Sequence, residues 1–278
     1  MELITLKNNL MEVTLCDVGA SIFRLKFDNR DMLVGPSKIE DFLRKDLYFG
    51  KTIGRICGRV KNKQGKIILH GGAKGLSNQR FEYTKEDNCV TFTYLSKGDS
   101  SSNDGETLII VSYTLFDNEL RVDLIAEPRE EATISLTNHT YFCLGEKNVQ
   151  SLSLQMDSDK CLTYDKSLFP VGTDSTLEKF NFKEMKPIMT YGDVDTYFYL
   201  NRNPIILKSD NYQLEIETNY EGTVVYTDNF PDDTTTFVSK ARKYRGAAIE
   251  PQGDSMNRKS LLAGETLARY ISYRFTKL

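Results

Sequence analysis

Residues 107–126 read Thr107-Leu108-Ile109-Ile110-Val111-Ser112-Tyr113-Thr114-Leu115-Phe116-Asp117-Asn118-Glu119-Leu120-Arg121-Val122-Asp123-Leu124-Ile125-Ala126. Two apolar runs rich in β-branched residues flank Asp117-Asn118, a two-residue hairpin signal. In the second run Leu120, Val122 and Leu124 face one way, and Arg121 and Asp123 the other. That is the period of a half-buried strand. Upstream, residues 81–84 and 90–95 flank the polar turn Glu86-Asp87-Asn88, and a looser loop covers residues 96–105. Nearer the start, Phe23, Leu25 and Phe27 alternate with Arg24 and Lys26. Downstream, Leu214 and Ile216 alternate with Gln213, Glu215 and Glu217, and Ile271, Tyr273 and Phe275 with Tyr270, Ser272 and Arg274.

Further strand-like runs lie at residues 66–70, 151–156, 161–164, 222–227 and 246–252, with a loop from 165 to 176. One stretch, 37–45, reads as a helix. Ser37 stands at its cap, Glu40 follows three residues on, and Ile39, Phe42 and Leu43 make an apolar stripe. Many short strands with at most one or two short helices predict an all-β fold, a large antiparallel β-sandwich. No composition shift, low-complexity tract or repeat divides the 278 residues, so a single domain over 1–278 is expected.

Composition narrows the function classes. A net charge of −3 without a dense basic stretch gives no nucleic-acid footprint. No apolar run approaches the roughly 18 residues of a membrane helix, and the first residues lack the pattern of a signal peptide. The five cysteines are scattered, with no Cys-x-x-Cys pair, so reduced thiols in a cytoplasmic protein are expected.

The chain has two histidines, and imidazole is the side chain suited to proton exchange near neutral pH. His139 lies in Leu136-Thr137-Asn138-His139-Thr140-Tyr141-Phe142-Cys143-Leu144, which reads as a buried strand turning polar. His70 lies in Leu69-His70-Gly71-Gly72, within a glycine-rich segment from 50 to 75. That segment includes Gly54-Arg55-Ile56-Cys57-Gly58-Arg59, which lacks the phosphate-loop spacing.

Taken together, the Leu-His-Gly-Gly and Asn-His-Thr-Tyr-Phe motifs, Asp195, Tyr226-Thr227-Asp228-Asn229 and Ile249-Glu250-Pro251-Gln252 resemble the aldose 1-epimerase (galactose mutarotase) family. The motifs occur in the family's order along nearly the whole chain. The resemblance implies a β-supersandwich that interconverts the α and β anomers of a free sugar without cofactor or metal. It implies that Glu250 takes the proton of the C1 hydroxyl, that His139 protonates the ring oxygen, and that His70 steadies charge near that oxygen. Asp195, Arg59 and Asn229 would contact the sugar, and Arg55 would be structural. The chemistry suits these residue types independently: opening a pyranose needs a base and an acid on opposite sides, and an ionised Glu can coexist with a protonated His near pH 7.

The chain also departs from the family pattern. The link from Arg59 to His70 is short, implying that a hairpin before Leu-His-Gly-Gly is lost. Val224 stands where the family often has a sugar-binding Gln, Gly58 where it often has Asn, Thr196 where a His often follows the Asp, and Phe81 where it often has Trp. One rival is a phosphosugar epimerase, with a cationic pocket drawn from Lys74, Arg80 and Arg55. A second is a non-catalytic carbohydrate-binding protein, and a third a glycosidase using Asp195 and Glu250. The expected partner is a small aldohexose, with no nucleic acid or membrane, in a monomer or homodimer.

Overall fold

The computed structural model describes residues 1–101 and 104–278. Alternation of apolar and polar residues drives the architecture. Three antiparallel sheets carry it. The largest has nine strands in the order Lys186–Pro187, Ser153–Asp157, Arg202–Lys208, Tyr212–Thr218, Leu267–Lys277, Glu119–Pro128, Asp104–Phe116, Cys89–Gly98 and Glu82–Lys85. The expected hairpin is at its centre, with Phe116 opposite Glu119 and Val111 opposite Leu124. Residues 102 and 103 of the expected 96–105 loop lie outside the described residues. A four-stranded sheet runs Leu3–Lys7, Met11–Cys16, Ser21–Phe27, Arg30–Asp31. A six-stranded sheet runs Tyr141–Phe142, Ala247–Pro251, Gly222–Tyr226, Asp195–Tyr199, Lys160–Tyr164, Pro170–Ser175.

The two smaller sheets pack against the nine-stranded one through a shared apolar core. Val122, Leu124, Ile216 and Tyr273 of the large sheet, Leu15 and Leu25 of the four-stranded sheet, and Phe142, Phe198, Val225 and Ile249 of the six-stranded sheet are all buried in it. Ring contacts stitch the layers: Phe142 meets Tyr273 at 5.1 Å between centroids, and Phe27 meets Phe275 at 5.9 Å. Strands with one face on such a core leave the other free for a site.

Several sequence expectations change, and the ends of the expected 96–105 loop belong to the strands Cys89–Gly98 and Asp104–Phe116. The helix is one turn, Ile39–Phe42, and Ser37 does not cap it; the Ser37 hydroxyl instead donates to the Thr235 carbonyl at 2.9 Å. Part of the expected 165–176 loop, Pro170–Ser175, is an edge strand paired to Lys160–Tyr164. Its exposed, polar composition hid it, and its proline sits at the strand's first residue, where a missing N–H is tolerated. The His139 stretch is two short strands rather than one. Thr137–Asn138 pairs with Thr52–Ile53, Tyr141–Phe142 pairs with Ala247–Pro251, and His139 stands at the change of partner.

Candidate active site

The six-stranded sheet sets out the site by register. Tyr141 lies opposite Ala248, Ala248 opposite Tyr226, and Tyr226 opposite Asp195, so these residues share one face. Two residues along, Glu250 is opposite Val224 and Val224 opposite Tyr197. Continuing the first pairing by two residues brings His139 beside Glu250. Their side chains meet there, Nε2 to Oε1 at 3.4 Å, and both are about 95 % buried.

This pair lines a cleft of about 280 Å³ that also takes in His70, Arg59, Asp195, Tyr48, Tyr226, Asp228 and Gln252. Five of the six residues singled out in the sequence therefore converge. Asn229 does not line the cleft; its neighbour Asp228 does.

The short link between Arg59 and His70 is itself a hairpin. Arg59–Lys61 pairs with Ile67–Leu69, Arg59 facing Leu69, which corrects the expectation that a hairpin is lost here. Asn62 closes the turn by accepting from the N–H groups of Gln64 and Lys66. The tight connection is what keeps Arg59 and His70 on the same cleft wall.

His70 occupies the left-handed backbone region (φ +51). Such a conformation costs a non-glycine residue roughly 1–3 kcal/mol and gathers at functional sites. The Gly71 that follows (φ +75) packs so closely that a Cβ would lie 2.6 Å from the Gly54 carbonyl oxygen. The His70 N–H donates to the Gly58 carbonyl at 3.0 Å, and the Gly58 N–H donates to His70 Nδ1 at 3.2 Å. With Nδ1 accepting, the imidazole proton sits on Nε2, so His70 presents a donor to the cleft. Burial, then the neighbouring His139 and Arg59, hold its pKa well below the usual value, so it stays neutral.

His139 is held between two aromatic rings, stacked on Tyr48 at 5.6 Å and on Tyr141 at 5.0 Å. Tyr48 also meets His70 edge-on at 4.7 Å. Burial lowers the His139 pKa from 6.5 to about 3, and its Nδ1 is buried without a partner. Burial, and then the nearby Asp195 carboxylate, push Glu250 well above the usual carboxylate range. Both shifts run against the ionised Glu and protonated His expected from the sequence. Desolvation penalises each charge, so burial favours the neutral acid beside the neutral imidazole. Both descriptions hold one proton between the two side chains; they differ in where it sits.

Asp195 is raised by burial, while the Arg59 charge opposes the rise. Arg55 is wholly buried, donating to the Gly105 carbonyl at 2.5 Å. Sequence reasoning missed Tyr48, Asp228 and Arg245. Arg245 is wholly buried and bonds Asp228 and Asp232 behind the cleft wall. Only Asp228 lay in a motif already quoted. Among the described residues no group of three or more His, Cys, Asp or Glu is arranged to hold a metal ion. No helix is long and apolar enough to cross a membrane.

A stability test follows from the buried imidazole. Between pH 6.5 and about 3 the unfolded chain binds a proton at position 139 that the folded chain does not. Acidification through that window therefore costs the folded state up to about 1.4 kcal/mol per pH unit at this residue. His139→Gln removes the penalty. Urea unfolding at pH 7 and pH 5 should show the variant gaining about 2 kcal/mol on the wild type. A difference that stays constant across the two pH values would count against a neutral buried His139.

The aldose 1-epimerase family model matches residues 2–274. The chain belongs to the aldose 1-epimerase family. Among curated relatives of the family, the human galactose mutarotase is 27% identical, over 92% of this chain and 87% of the relative. The aldose 1-epimerase of Haemophilus influenzae is 28% identical, over 90% and 86%. Among solved structures, the GalM/aldose epimerase homologue of C. elegans superposes with a TM-score of 0.91 at 25% identity, covering 100% of this chain and 99% of that one. The galactose 1-epimerase of Lactobacillus acidophilus does so at 0.89 and 26%, covering 99% and 94%. The fold is thus the family's β-sandwich.

Proposed function

We propose that this protein is an aldose 1-epimerase acting on a free, unphosphorylated aldohexose, with His139 and Glu250 as its proton-transfer pair. The observation that carries the reading is their 3.4 Å contact on the floor of a sugar-sized cleft. Epimerisation begins from the arrangement in which the pair's single proton sits on His139, which leaves Glu250 ionised to take the proton of the C1 hydroxyl. The C1–O1 bond becomes a carbonyl, the C1–O5 bond breaks, and the ring oxygen takes a proton from His139. Rotation about C1–C2 presents the other carbonyl face, and reversal of the transfers closes the ring. Glu250 gains the proton of the C1 hydroxyl while His139 gives its own to the ring oxygen, so the pair still holds one proton and none is consumed. His70, its Nε2–H directed by the Gly58 bond, donates toward the ring oxygen and stabilises developing charge. Asp195 and Arg59 hold secondary hydroxyls.

The charge of the cleft favours a neutral sugar over a phosphorylated one. Among the described residues Arg59 is the one Lys or Arg in the lining, where Asp46 and Asp195 also stand, while Asp228 and Asp232 already hold Arg245 behind the wall. The three cations that a phosphosugar enzyme would recruit are committed elsewhere. Arg55 is buried, Arg80 pairs with Asp17 at 2.6 Å, and Lys74 borders a different depression, beside Lys97. A pure binding protein would not need a buried acid beside a buried imidazole. The described cysteines are unpaired, which supports a reducing, cytoplasmic setting.

The test is the relaxation of freshly dissolved α-D-galactose, α-D-glucose and glucose 6-phosphate, followed by polarimetry or anomeric proton NMR. Acceleration with the free sugars and little with the phosphate is expected. Acceleration confined to glucose 6-phosphate would replace this reading with the phosphosugar one. Binding of free sugar without acceleration would leave a carbohydrate-binding protein.

A further inference from the structure

We infer that Gln252 is a further substrate-binding residue, its side-chain amide taking a secondary hydroxyl of the sugar ring. The inference rests on the epimerase reading above. Gln252 follows the Ala247–Pro251 strand immediately, two residues beyond Glu250. Its N–H donates to the Gly222 carbonyl at 3.0 Å, extending by one step the pairing of Val224 with Glu250 and Thr223 with Pro251. Side chains alternate along a strand, so Gln252 rises on the same face as Glu250.

Gln252 is 2 % exposed and lines the cleft. Its Oε1 is nonetheless buried without a hydrogen-bond partner. Buried polar atoms in folded proteins are nearly always paired, and an exception inside a cleft calls for a ligand. Across the sheet stands Gly222, which has no side chain to offer; the Tyr197 hydroxyl lies over it, 2.2 Å from where a Cβ would be, and is itself buried without a partner. Beside it Val224 is apolar. The next polar side chain along, Asp254, is already engaged by the Tyr199 hydroxyl at 2.8 Å and the Met256 N–H at 2.8 Å. The amide is therefore a preformed acceptor within one residue pair of the reacting carboxyl. It offers what Val224 cannot: a polar contact on that stretch of the floor.

Gln252→Met keeps the length of the side chain and removes the amide. The comparison is wild type, Gln252→Met and Gln252→Glu on galactose and its 2-, 3- and 4-deoxy analogues, reading KM, kcat and the Kd from an NMR titration. Gln252→Met is expected to raise KM and Kd for galactose about tenfold with little change in kcat. On one deoxy analogue the penalty should vanish, which names the hydroxyl, and Gln252→Glu, which keeps an acceptor, should retain most of the affinity. A KM and Kd within about twofold of wild type, or the same penalty on every analogue, overturns the assignment. Wild type that binds galactose without interconverting its anomers would sink the epimerase reading alone, since the Kd series still decides Gln252. If Gln252→Met does not fold, Gln252→Leu takes its place in the series.

Discussion

Glu250→Gln lowers kcat for anomer interconversion by roughly 10²–10⁴-fold, the usual contribution of one positioned acid–base group. The substitution keeps the shape of the side chain and its place in the sheet opposite Val224. It removes the oxygen that exchanges a proton with His139 at 3.4 Å. KM should change little, because the affinity for hydroxyls resides in other residues, and circular dichroism should match wild type. His139→Ala should fall similarly, and the double variant should fall hardly further than either single one. Groups that act as a unit are not additive. Burial shapes the pH dependence as well. Lowering pH adds a second proton to the pair only when His139, held at about 3, becomes protonated. Raising pH removes the shared proton only above the elevated pKa of Glu250. Wild-type kcat/KM should therefore stay level from pH 7 down to pH 5, through the range where an ordinary histidine titrates. A fall by half near pH 6.5, or a Glu250→Gln variant with more than a tenth of wild-type kcat, would contradict the assignment.

Arg245→Met destabilises the fold by about 3–5 kcal/mol, the cost of leaving buried carboxylates without their cation. Arg245 has no exposed surface. Its Nε and Nη2 clasp Asp228 at 2.6 and 2.8 Å, and its Nη1 and Nη2 reach Asp232 at 3.1 and 2.6 Å. The guanidinium also lies 5.2 Å from the centre of the Phe49 ring. Asp228 is raised by burial even with this partner, which lowers it. Without the arginine it must be protonated or solvated. For a domain of this size the loss corresponds to a Tm lower by roughly 6–20 °C. Adding Asp228→Asn and Asp232→Asn to Arg245→Met should recover a large part of it, because the uncompensated charges go with the arginine. A loss under about 1 kcal/mol in the single variant would mean that the pair contributes no more than a surface ion pair does. Asp228 and Asp232 also line the cleft, so the variant should lose affinity for sugar as that wall loosens.

The amino-acid sequence by itself determined the fold class, because period-two alternation in stretches such as 120–126 and 212–218 has one stable outcome, a strand with a single buried face. It determined the family as well. Two histidines and a carboxylate in specific motifs are few enough to be picked out singly, and the family motifs set their order. It did not determine what depends on partners distant in the chain. Pro170–Ser175 reads as a loop because an edge strand needs no apolar face. The Ser37 hydroxyl turned to a carbonyl 198 residues away instead of capping a helix. The protonation of Glu250 and His139 reversed because desolvation acts only once both are enclosed, Glu250 by its sheet and His139 by the rings of Tyr48 and Tyr141. Tertiary structure alone decided the clasp of Arg245 and the unpaired amide of Gln252. Burial and hydrogen-bond partnership are properties of the packed surroundings, and a residue's neighbours in sequence carry no record of them.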